Sequence, residues 1–115
     1  VFRIDSLARR FERGSDPGER LARKLPGASV MQAESCSMLA HLHELLRRRE
    51  HVQLRELHSL IGWRQPRALR AIHELQQHGF VILGHEEFDP LAAHVSIPLA
   101  IDRRIGKLLR GGRQA

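Results

Sequence analysis

Residues 54–82 read LRELHSLIGWRQPRALRAIHELQQHGFVI, and their spacing predicts a helix, a tight turn, a second helix and the start of a strand. Leu54, Leu57, Leu60 and Ile61 recur at helical intervals, and Gly62 can take the left-handed conformation that stops a helix. After Pro66 the apolar period resumes at Ala68, Ile72 and Leu75, and Gly79 closes it. Phe80 to Leu83 is then a short apolar run of strand type. Arg64, Arg67 and Arg70 crowd the first half of the second helix.

Working outward, Ser29-Val30-Met31-Gln32 has the form of a capping box and predicts a helix behind it. Met38, Leu39, Leu42, Leu45 and Leu46 supply the apolar face of that helix, and Arg47, Arg48 and Arg49 suit its C-terminal dipole. Val52 lies in a polar connector where it can pair with a later hairpin. Residues 80–83 and 92–97 predict the two strands of that hairpin, joined by 84–91. A last helix follows with Pro98 in its first turn, an apolar stripe of Ile101, Ile105, Leu108 and Leu109, and a stop at Gly111-Gly112. At the other end, Phe2, Ile4, Leu7, Ala8 and Phe11 stripe one side of a short helix. Residues 14–18 break the chain, and 19–25 add one or two turns. The chain therefore divides into an N-terminal helical arm (1–28), a helix-turn-helix unit with a hairpin (29–98), and a C-terminal amphipathic helix with a basic tail (99–115).

The totals narrow the function. One domain is expected from 115 residues, and 42% hydrophobic with 28% charged residues is a folded composition. The net charge of +6 favours a polyanionic partner. Of the nineteen basic residues only Lys24 and Lys107 are Lys, a bias that a GC-rich genome can produce without any binding role. The single Cys36 permits no internal disulfide and reads as a small core residue, and no leader or membrane segment is visible. A cytoplasmic location is expected. His41 with His43 and His73 with His78 lack the four-residue spacing that sets two imidazoles on one helical face. No nucleophile motif or phosphate-cradling loop occurs. Neither an enzyme, a metal site nor a cofactor is expected.

The order of helices, turn and hairpin is that of a winged helix-turn-helix domain, mainly α with a small two-stranded β wing. Over about residues 38–97 the chain resembles the bacterial MarR-type transcriptional regulators, above all in the run IGWRQPRALRAIHELQQHGFV. Gly62 matches the turn glycine, Ala68, Ile72 and Leu75 the buried side of the recognition helix, and Gly79 with Phe80 the entry to the wing. The resemblance implies DNA contacts by Arg64, Gln65, Arg67, Arg70 and His73. Their chemistry agrees, since Arg can donate twice to a guanine edge and Gln can pair with adenine. Trp63, where the family has an aliphatic residue, reads as a plug in the turn. The wing departs from the family: residues 84–98 hold Glu86, Glu87 and Asp89 and no Lys or Arg, so phosphates would repel it.

The expectation is a homodimeric, sequence-specific regulator of transcription that binds double-stranded DNA through the second helix of the motif. The terminal amphipathic helices would join its subunits. A small-molecule effector of unknown identity has room in this scheme. The competing reading is a winged-helix module that binds a protein through its acidic wing and the Phe2/Ile4/Leu7/Phe11 stripe, and does not bind DNA.

Overall fold

The computed structural model describes residues 16–84 and 88–110. The predicted helix over 1–13, the wing residues His85, Glu86 and Glu87, and the tail from Gly111 lie outside them. Helix α1 (Pro17–Lys24) is well punctuated. The Asp16 carboxylate accepts from the Gly18 amide at 2.9 Å, Pro17 opens the first turn, and Arg23 and Lys24 sit at the C-terminal end. A 3₁₀ turn (Ala28–Val30) follows Gly27, whose φ is 84°. Helix α2 (Ala33–Arg48) buries Cys36, Met38, Leu39 and Leu42. Burial, and secondarily the charge of Glu74, pushes the Cys36 thiol pKa up, which suits a core residue. The predicted capping box is not formed. Ser29 is consumed by the 3₁₀ turn, and α2 begins only after Gln32, whose side chain makes no cap bond.

Helix α3 (Leu54–Ile61) and helix α4 (Gln65–Gln77) meet at the predicted turn. Glu56 accepts from the Gln53 amide at 2.9 Å, the N-terminal half of a capping exchange, and this bond holds the Glu56 carboxyl below its ordinary range. Gly62 adopts φ 76°, and the Trp63 amide returns to the His58 carbonyl at 2.9 Å. Any side chain at position 62 would place a Cβ in a conformation that L residues avoid.

Strands β1 (Ile82–Leu83) and β2 (Val95–Ser96) form an antiparallel hairpin that pairs Ile82 with Ser96 and Leu83 with Val95. Both are shorter than the runs predicted for them. Val52 reaches the hairpin as expected, its carbonyl accepting from Val95 at 2.8 Å, and Gln53 bridges to His94. Asp89 caps a 3₁₀ turn (Pro90–Ala92) between the strands. Helix α5 (Leu99–Leu109) takes Pro98 as its N-cap and not as a first-turn residue, so it begins later than predicted. Among the described residues, five α-helices and one small hairpin make a mainly helical, winged-helix arrangement.

One core joins the elements. Leu21 of α1, Met38, Leu39 and Leu42 of α2, Leu57 of α3, Ile72 and Leu75 of α4 and Ile105 of α5 are fully buried together. Helices α1 and α5 therefore share the interior of the helix-turn-helix unit. A second tie is polar: His43, 2% exposed, holds Asp102 at 2.7 Å through Nδ1 and Arg110 at 2.9 Å through Nε2. Because Arg can only donate, Nε2 is the acceptor and Nδ1–H donates to Asp102. α1 approaches α2 so closely that a Cβ on Gly18 would lie 2.8 Å from the Ser37 Cα. Backbone cannot yield there as a side chain can. Gly18→Ala is expected to cost about 1–3 kcal/mol by overpacking, read by urea denaturation; wild-type stability would contradict that contact.

Candidate nucleic-acid interface

Ala68, Ala71, Ile72 and Leu75 turn one side of α4 into the core. At the helical pitch, Arg70, His73 and Gln77 then fall on the opposite side, and all three are exposed. Arg64 is exposed at the N-cap, while Gln65 is half-buried on the other flank. Arg67 and Glu74, seven residues apart, share the flank turned towards α2. Four of the five predicted contact residues thus lie exposed along α4, but they do not form one uniform edge.

Arg67 differs from its neighbours. Its Nε donates to Glu34 Oε2 at the start of α2, and its guanidinium lies 3.9 Å from the centre of the Trp63 ring. Trp63 itself is half-buried and meets His41 edge to face, with ring centres 6.0 Å apart. It therefore fills the turn, as its position suggested, and also seats an arginine. Burial pulls the His41 pKa down; Asp16 opposes that pull and Arg67 adds to it.

Glu74 is the only acid of α4, and its carboxylate is engaged by the start of α2. Its Oε1 accepts from the Ser35 hydroxyl at 2.5 Å and from the Gln32 amide at 3.1 Å. The same carboxylate thus supplies the α2 N-terminus with an acceptor in place of the missing capping box. Those two bonds, Ser35 foremost, hold the Glu74 carboxyl below its ordinary range. The sign follows from linkage. The unfolded chain takes up the proton first, so this stability is complete above about pH 4.5 and is lost as pH falls through the folded value. Glu74→Gln is expected to lose stability at pH 7 and to flatten the acid limb of a stability–pH curve. An acid limb identical to that of wild type would contradict the assignment.

A shallow cleft of about 270 Å³ separates the start of α2 from α4, lined by Glu34, Ser35, Arg70, His73, Glu74 and Gln77. Two of its residues carry roles that the sequence reading missed. Gln77 was legible in principle, since it lies four residues after His73 and seven after Arg70 on the same exposed side. Glu34 was not, because it is 33 residues from its partner Arg67 and belongs to another helix.

The hairpin is less acidic than its sequence implies. Asp89 pairs with Arg55 of α3 and also caps its own turn, accepting from the Leu91 amide at 3.1 Å. Phe88 beside it is 91% exposed, and Ile82 is 52% exposed. On α5, Arg103, Arg104 and Lys107 are exposed, whereas Arg110 is held by His43 and Glu44. Among the described residues, Arg64 and Arg70 form no ion pair with the protein. Within that same span, no helix is long and apolar enough to cross a membrane. Comparison of the chain with models of known protein families, with curated proteins and with solved structures finds no match.

Proposed function

We propose that the chain is a sequence-specific DNA-binding regulator of transcription that lays α4 in the major groove. The observation that carries this reading is the exposed row of Arg70, His73 and Gln77, with Arg64 exposed at the N-cap, beside which the one acid of the helix is engaged in bonds with Ser35 and Gln32. Such a row offers hydrogen-bond donors to base edges and positive charge to phosphates. Arg103, Arg104 and Lys107 of α5 add charge elsewhere on the surface, while the hairpin stands back from the phosphates. A homodimer would present two copies of α4 to half-sites about one helical turn apart, roughly 34–36 Å.

Selection of bound sequences from a pool of random duplexes tests the reading. Enrichment of a defined motif, in two copies for a dimer, is the expected result. A pool that stays random through repeated rounds, with no duplex retained, would overturn it. A second reading draws on Phe88 and Ile82, apolar side chains exposed on an acidic hairpin, which suit contact with a protein surface. Phe88→Ser would leave the enriched motif unchanged if the hairpin serves a protein partner, and would change it if the hairpin touches DNA.

A further inference from the structure

We propose that Glu34 and Trp63 are positioning residues that aim Arg67 at a guanine base, an inference that rests on the DNA-binding reading above. Two restraints act on the Arg67 guanidinium from different directions. The bond from Nε to Glu34 Oε2 holds one edge of the group, and its central carbon lies over the Trp63 ring, 3.9 Å from the ring centre. Together they fix where the group lies. The side chain is nonetheless 45% exposed, and among the described residues its two terminal nitrogens have no hydrogen-bond partner.

The remaining donors decide the target. An arginine has five N–H groups in a fixed fork, and with Nε occupied the free set is the terminal pair. That pair can donate side by side to two acceptors, as O6 and N7 of guanine present them in the major groove. A phosphate offers two acceptors as well, but charge separates the alternatives. A phosphate contact gains chiefly from releasing counterions, which requires net positive charge. Arg67 paired with the Glu34 carboxylate contributes almost no net charge, so the pair is a poor phosphate contact and keeps its directional donors. Arg64 and Arg70, which carry no such partner among the described residues, are the phosphate-competent arginines of the helix. Preordering also reduces the side-chain freedom lost when the complex forms.

The test uses the full chain and the motif enriched from the random pool. Each guanine of the motif is replaced in turn by 7-deazaguanine, which removes the N7 acceptor, and affinities are measured by fluorescence anisotropy. One guanine is expected at which the replacement costs wild type about tenfold and costs Arg67→Ala and Glu34→Ala almost nothing. Glu34→Gln keeps an acceptor for Nε but removes the negative charge, so it should bind all duplexes more tightly and steepen the salt dependence by about one contact. A purely structural role for Glu34 would move neither readout, and thermal unfolding of each variant confirms folding. The inference is overturned alone if wild type enriches a motif and Glu34→Ala discriminates at every guanine as wild type does. It is likewise overturned alone if Arg67→Ala weakens all sequences equally. Failure of wild type to bind any duplex overturns the DNA-binding reading and this inference together.

Discussion

Replacing Arg64 and Arg70 together with alanine is expected to weaken binding to duplex DNA at least about a hundredfold, from about 1.5–3 kcal/mol for each hydrogen-bonded contact with a charged group. Both side chains are exposed, and among the described residues neither is paired with an acid that would compete for its donors. For the same reason the fold should not register the change. Surface substitutions away from caps and networks move stability by less than about 0.5 kcal/mol. Arg64 is the N-cap of α4, but its side chain makes no capping bond, so its loss should not unravel the first turn. The measurement is anisotropy on the enriched duplex, paired with a urea curve. Unchanged affinity in the double variant would remove α4 as the reading element.

The largest effect on stability is expected at Leu75. Its side chain is fully buried on the inward side of α4, and its carbonyl accepts from the Phe80 amide as the chain leaves the helix for β1. Leu75→Ala removes apolar contacts from a core shared by the five described helices and leaves a cavity they can fill only in part. The expected cost is about 2–5 kcal/mol, a large share of the roughly 5–15 kcal/mol that holds a domain of this kind folded. Because α4 takes its orientation from this core, the variant should also bind DNA weakly at temperatures where wild type is fully folded. A urea midpoint equal to that of wild type would mean that α4 does not depend on this packing.

The elements read most easily from the sequence were those that local chemistry decides. Gly62 stops α3 because only a glycine takes φ 76° without strain, and the apolar spacing on either side of it specifies two helices and their buried faces. Gly79, with φ 81°, ends the second in the same way. Errors arose where two local signals compete. Ser29 and Gln32 have the spacing of a capping box, but Gly27 directs the chain into a 3₁₀ turn that takes Ser29 first, and the start of α2 finds its acceptor on Glu74 instead.

The features that shape the candidate interface come from distant residues, which spacing along the chain does not relate. Arg67 looks like Arg64 and Arg70 in the sequence, yet Glu34 of another helix holds it, while those two form no ion pair among the described residues. Asp89 looks like a charge that DNA would repel, yet Arg55 of α3 offsets it. His43 looks like one more polar position on α2, yet it is buried between Asp102 and Arg110 of the last helix region. In each case the sequence shows residue types that could pair, and only the fold shows which pairs form.

The central claim is that α4 binds duplex DNA through its exposed basic row. Anisotropy titrations of wild type and of the Arg64→Ala/Arg70→Ala double variant, each at several salt concentrations, test it most directly. Wild-type affinity should fall steeply with salt, with a slope of about −0.9 per phosphate contacted, and the double variant should bind more weakly with a shallower slope. Absence of wild-type binding, or binding indifferent both to salt and to the loss of the two arginines, would contradict the account.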